Sequence, residues 1–338
     1  MKIDFISSHQ SLEVGSYRIW IHDAVPVLLD LGVSINIVEN ASQARHDATL
    51  IFSKNDYGWA SDLKNEKRLV GAINVAADGP TKNLDFVIVG SPEERSSLLP
   101  ACKDVFVVNL IERMYQGQTL KHHTDNDKLT IGYHGSFSHL MKMRSTGFID
   151  AFLKVRQSCP HLKISTLTSD PEACDKIFHA MGLPTEVYEN KKWKLATARQ
   201  DISEFDIGIV PNITDVMAMA PTMKEWVSSD DGLYETDFCV RYKNKSNAGR
   251  SFVFNQLGIP VIADFTPSNM PMFHDEVCGS LASNAAGHQI AIERFLDAGE
   301  RNKVAKLAYN RFQEIYDVSY DWRQVVAWIH QAEGKNEK

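Results

Sequence analysis

The stretch Val240–Asp264, VRYKNKSNAGRSFVFNQLGIPVIAD, decides how this chain is built. Its first half gathers Lys243, Lys245, Ser246, Asn247 and Arg250, and its second half is an apolar run that ends at Gly258. Gly258 suits the left-handed residue that closes a helix, Pro260 cannot continue one, and Val261, Ile262 and Ala263 read as a buried parallel strand. The pattern predicts a helix whose start carries cations, amides and free backbone N–H groups, which is the chemistry that holds an anion and above all a phosphate. The bland alternative is a solvated basic face, the usual fate of a charge run. Its place directly before an apolar helix and a buried strand favours the ligand-binding reading.

Working outward, the same strand–helix alternation runs along the whole chain. Strands are expected over Lys2–Ser7, Ser34–Glu39, Asp47–Ser53, Leu69–Ala76 and Asp85–Val89, with a helix over most of Ser16–Gly32 that Pro26 must kink or shift. Between Glu112 and Lys128 the chain turns polar and aperiodic, as a linker does. A second series follows: strands over Leu129–Tyr133, Leu162–Leu167, Asp206–Val210 and Pro260–Ala263, and helices through Phe148–Val155, Ala173–Met181 and most of Ala286–His330. The expectation is an α/β protein of two Rossmann-like domains, with ligands bound outside the carboxyl ends of the strands and in the cleft between the domains.

Composition bounds the function. The chain has 338 residues, 43% of them hydrophobic and 23% charged, in keeping with a globular protein of two domains. A formal charge of −7 with no long basic run argues against nucleic acid as partner. Five cysteines without a C-x-x-C pair signal neither a disulfide framework nor a zinc site. The opening MKIDFISSHQ is too polar for a secretory leader, and no stretch approaches the ~18 apolar residues of a membrane span, so a cytoplasmic protein with at most peripheral membrane contact is expected. The first strand lacks the G-x-G-x-x-G turn of a nicotinamide-binding enzyme.

Three segments carry candidate chemistry. Ile131–Ser136, IGYHGS, brings His134, Gly135 and Ser136 to a strand end, with Lys142 and Arg144 following. His134 alone reads as a structural histidine, but its neighbours favour ligand contact. SHQSLEVGSYRIW places His9, Gly15 and Ser16 after the first strand, with Ser16 as helix cap and Gly15 where a ligand approaches the backbone. DIGIVPN brings Asn212 to the same kind of strand end. His9, Glu13 and Asp78 are candidate bases that sequence does not rank.

With these residues in hand, the chain resembles the nucleotide-sugar-dependent glycosyltransferases of the GT-B fold, in the family 1 or 4-like group. The likeness rests on GSYRIW, IGYHGS, DIGIVPN, KNKSNAGRSFVFNQLGIPVIAD and the tail YDWRQVVAWIH. It implies an acceptor domain over 1–121 joined by a final helix at 318–334, a donor domain over 129–317, and sugar transfer from a nucleoside-diphosphate sugar without a divalent metal or other cofactor. Carried over, Gly135, Ser136, Lys142, Asn212, Lys245, Ser246, Asn247 and Arg250 hold the donor, His134 acts at the reacting centre, and His9, Gly15 and Ser16 border it. One departure stands out: where many retaining members carry two glutamates, this chain has Lys245 and Val253. A nucleotide-sugar epimerase or a non-catalytic binding protein of the same fold are the alternatives.

Overall fold

The computed structural model describes residues 1–336 apart from 47, 53–58, 67, 76–82, 100–101, 126–127, 141–142 and 213–246. Lys142, Lys243, Lys245, Ser246 and Asp78 therefore lie outside the described residues. The chain divides into two compact units, one of Met1–Gln116, Asn244–Val253 and Phe312–Lys338, the other of Gly117–Lys243 and Phe254–Arg311.

The first unit is built on a parallel sheet of β1 (Lys2–Ile6), β2 (Ser34–Val38), β3 (Ala48–Phe52), β4 (Leu69–Ile73), β5 (Phe86–Val89) and β6 (Val105–Val107), in the order β2-β1-β3-β4-β5-β6. Strands buried on both faces carry continuous apolar runs, as FVIV of β5 does. The final helix, Val318–Asn336, belongs to this unit: Trp322, Val325, Val326 and Ile329 join Ile3, Phe5, Leu50 and Ile88 in one core. Trp322 meets Phe5 edge-on at 6.5 Å and Trp328 packs on Phe86 at 4.9 Å.

The helix expected over Ser16–Gly32 is instead three pieces. A single turn, Gly15–Tyr17, passes into a π-helical turn, Arg18–His22, before the helix Ala24–Asp30. Pro26 sits in the first turn of that last piece, where a missing N–H costs no intrahelical bond. Ser16 is inside the first turn rather than its cap; Val14 takes the cap position without a side-chain bond, so the capping role expected of Ser16 is corrected.

The second unit holds β7 (Leu129–His134), β8 (Leu162–Thr168), β9 (Tyr188–Lys192), β10 (Ile207–Val210), β11 (Val261–Ala263) and β12 (Ser280–Leu281), again all parallel, in the order β12-β11-β10-β7-β8-β9. The helix Gly249–Leu257 stops at Gly258, whose φ of +73° is the left-handed closure expected from its sequence. The stretch expected to be a linker is ordered from Gly117 to Asp125 and strapped to the amino edge of this sheet. Lys121 Nζ donates to the Phe205 carbonyl at 2.8 Å and lies 3.0 Å from Asp206, while His123 Nε2 is 2.8 Å from the Gly258 carbonyl oxygen. None of the described helices is long and apolar enough to cross a membrane.

Candidate functional site

The carboxyl edge of the second sheet collects four of the described candidate residues, His134, Gly135, Ser136 and Asn212. β7 extends one residue past the expected end, to His134, because β8 continues beside it and pairs His134 with Leu167. His134 is buried at 6% exposure, its ring set edge-on to Phe254 at 4.9 Å. That packing depends on two glycines on neighbouring strands. A Cβ at Gly132 would overlap the Phe205 ring and one at Gly208 would overlap Phe254, so both strands are shaved to let these aromatics lie on the sheet.

Beyond His134, Gly135 has φ of +124°, a conformation that excludes any side chain, and turns the chain so that its N–H donates to the Leu167 carbonyl at 3.1 Å. Ser136 is exposed and caps the short turn Phe137–His139 through a 3.4 Å bond from the Ser138 N–H. The register Gly208↔Gly132 carries β10 to the same edge, where Asn212 follows Pro211 and is buried.

Asp264 follows β11 on this edge and was not singled out from sequence. Its N–H donates to the Val210 carbonyl at 3.0 Å, and its Oδ1 accepts the Phe265 N–H at 2.8 Å. Asn269, fully buried, donates from Nδ2 to the Asp264 carbonyl at 3.0 Å. The signal was available in DFTPSN, a run of residues that bond their own backbone directly after a strand. His288 had no such signal; it comes from the helix Ala285–Arg294, and burial pushes its pKa down to about 4. A narrow recess at the ends of β10, β11 and β12 is lined by Thr146, Phe148, Pro211, Asp264, Ala282 and His288.

The remaining candidates group with the first unit. Asn247 Oδ1 accepts the Gly249 N–H at 3.2 Å, capping the start of the Gly249–Leu257 helix, and Arg250 is half-buried in its first turn. Gly249 lies against Leu110, which a Cβ there would approach to 3.1 Å. Val253, in one of the two glutamate positions, is fully buried. His9, exposed, and Gly15 and Ser16, half-buried, follow β1. A buried ion pair holds their loop: Arg18 Nη2 meets Glu112 at 2.7 Å while Nη1 donates to the Leu12 carbonyl at 2.7 Å. Burial raises the Glu112 pKa, and the Arg18 charge opposes that rise. Among the described residues Gly15 has room for a Cβ, whose nearest neighbour would be Arg18 Nη2 at 3.6 Å, so packing against them does not demand a glycine there. Among the described residues no three His, Cys, Asp or Glu side chains gather as metal ligands do.

No protein-family model matches the chain, and no curated protein matches it in sequence. Solved structures do match in shape. HepE from Anabaena, in complex with UDP and glucose, aligns over 97% of this chain and 99% of its own with a TM-score of 0.62 at 11% identity. The fold is GT-B. A glycosyltransferase from Rickettsia africae matches over 98% of this chain and 97% of its own, with a TM-score of 0.58 at 10% identity. S. aureus TarM matches over 83% of this chain, TM-score 0.59 and 10% identity, and the chain spans only 55% of its length. Within this GT-B chain, His134, Gly135, Asn212 and Asp264 all stand where open parallel sheets hold their ligands.

Proposed function

We propose that this chain is a glycosyltransferase that moves a sugar from a nucleoside-diphosphate sugar to a glycan, lipid-linked or other acceptor, with no requirement for a divalent metal. The observation that supports it most is a GT-B fold matched along nearly the whole chain, with polar groups at the carboxyl edge of the second sheet. In the reaction an acceptor hydroxyl forms a bond to the anomeric carbon and gives up its proton, while the bond from that carbon to the diphosphate breaks. Negative charge grows on the leaving diphosphate. Lys142, Lys245, Ser246, Asn247 and Arg250, together with a helix start, are assigned to that charge, Gly135, Ser136 and Asn212 to the donor, and His134 to the transferred sugar. His9, Gly15 and Ser16 are assigned to the acceptor side.

The supporting experiment is a binding and turnover panel of nucleotide sugars in EDTA. One donor is expected to raise the melting temperature and to be consumed with chelator present. Arg250→Ala should weaken nucleoside diphosphate binding by about 1.5–3 kcal/mol, the range for hydrogen bonds to charged groups. Unchanged affinity would return Arg250 to a solvated face, and activity restored only by Mg²⁺ would remove the metal-independent scheme. The fully buried Val253 favours a second reading, a non-catalytic nucleotide-sugar binder, because no carboxylate is supplied from that position. Binding without turnover across an acceptor panel would select it.

A further inference from the structure

The imidazole of His288 is buried at the carboxyl edge of the second sheet. It is 4% exposed, and its Nδ1 is buried with no hydrogen-bond partner. A buried polar nitrogen left unpaired costs roughly as much as a lost hydrogen bond, so its retention calls for an occupant. Phe148 lies edge-on to it at 5.5 Å and offers no acceptor or donor.

The recess it lines also has the chemistry of a particular occupant. Burial keeps the imidazole neutral at pH 7, so it brings one N–H donor and one acceptor nitrogen. Asp264 adds a carboxylate, which opposes an anion. Thr146 donates its hydroxyl to the Met143 carbonyl at 2.8 Å. Two helix starts meet there, Phe148–Arg156 and Ala285–Arg294, because Gly147 lies against the Ala285 backbone so closely that a Cβ would clash. The space holds about one water-sized group. A neutral group that both donates and accepts, and is the size of a water, is a hydroxyl.

We propose that this recess is a subsite for a hydroxyl of the donor sugar, with His288 bonding that hydroxyl and Asp264 accepting from the sugar's edge. The inference rests on the glycosyltransferase reading and sharpens it: His288 tells a sugar nucleotide from its bare nucleoside diphosphate.

The test compares binding of UDP with UDP-glucose, ADP with ADP-glucose and GDP with GDP-mannose, by calorimetry, to the full chain and to His288→Phe. Phenylalanine keeps the contact with Phe148 and removes the unpaired nitrogen, so the melting temperature should hold or rise. Affinity for the bare diphosphate should stay within about twofold, and affinity for its sugar conjugate should fall roughly tenfold. His288→Gln, which restores a donor and an acceptor, should recover part of that loss, and Asp264→Asn should show the same selective loss; these two carry the test should His288→Phe fold poorly. Equal weakening of diphosphate and conjugate, or no change in either, overturns the subsite and leaves the recess holding water alone. A wild-type protein that binds none of the six compounds overturns the glycosyltransferase reading and the subsite with it.

Discussion

β5 of the first unit and β10 of the second begin alike and end differently. Each is preceded by an aspartate, in LDFVIVG and FDIGIVP, whose N–H donates to the second residue of the neighbouring strand: Asp85 to the Val70 carbonyl at 2.7 Å, Asp206 to the Thr130 carbonyl at 2.9 Å. Each carboxylate accepts that same residue's N–H, at 2.8 Å from Val70 and 2.9 Å from Thr130, and each pairs with a lysine, Lys64 and Lys121. The start of a parallel strand leaves a backbone donor unmet, and both sheets answer it in one way. At the carboxyl ends the likeness stops. β5 closes in a capping box, with the Gly90 N–H donating to Glu94 at 2.8 Å and the Glu94 N–H to Ser91 Oγ at 3.2 Å. β10 runs into Pro211 and Asn212 and opens on the recess of His288. Amino edges solve a folding problem common to both units; carboxyl edges are free to differ.

The largest expected effect breaks the comparison at the amino edges. Asp206 and Lys121 have side chains 10% and 18% exposed, against 24% and 36% for Asp85 and Lys64. Removing Asp206 leaves the half-buried Lys121 ammonium without its counter-charge and the Thr130 N–H without its acceptor, so Asp206→Ala should cost about 3 kcal/mol in denaturant unfolding. Asp85→Ala should cost about 1 kcal/mol, because water answers Lys64. Burial raises the Asp206 pKa, but His123, Lys121 and the Thr130 N–H more than reverse that and leave it below 3.8. Its stabilisation is therefore present above that value and lost as pH falls through the lower, folded pKa. Equal costs for the two variants would mean that the shared geometry, and not burial, sets the energy.

The carboxyl edge is probed next, through His134. His134→Gln keeps bulk against Phe254 and should lower turnover by about a hundredfold while moving the melting temperature by a few degrees at most. The reverse pattern, normal turnover in a protein that melts far lower, would make His134 a core residue placed by the same logic as Phe205 and Phe254.

How much of this was legible follows from where each signal lies. A strand such as β5 announces itself because burial on both faces demands an unbroken apolar run, and in β1 and β7 a few polar residues, Asp4, Thr130 and His134, stand among apolar ones that still mark the strand. β9 does not, since YENKK is a polar edge strand, and β6 and β12, at three and two residues, are too short to show a period. The break in the first helix escaped for another reason. Asp23 at the end of the π turn receives the Arg113 N–H at 3.0 Å, a tertiary tie that no local pattern contains. Polar residues next to a strand end, His134 and Asn212, could be read directly. His288 could not, because it reaches the edge from a later helix and shares the recess with Asp264 only in space.

The smallest expected effect concerns the closed end of β5. Glu94 is drawn in two directions: burial raises its pKa, and the bond from the Gly90 N–H lowers it, with burial prevailing to leave it at about 7. In the unfolded chain the same group titrates near the ordinary glutamate value of 4.5. Between these values the folded protein binds more protons than the unfolded one, so Glu94 makes stability fall as pH rises from about 4.5 to about 7. Glu94→Gln keeps an oxygen for the Gly90 N–H and removes the titration, so unfolding curves taken across that window should lose part of their slope. A variant with an unchanged slope would show that Glu94 stays ionised in the fold, held by the capping box as firmly as an exposed carboxylate is by water. In that case the two carboxyl edges would differ in shape alone, and the closed end of β5 would carry no electrostatic cost.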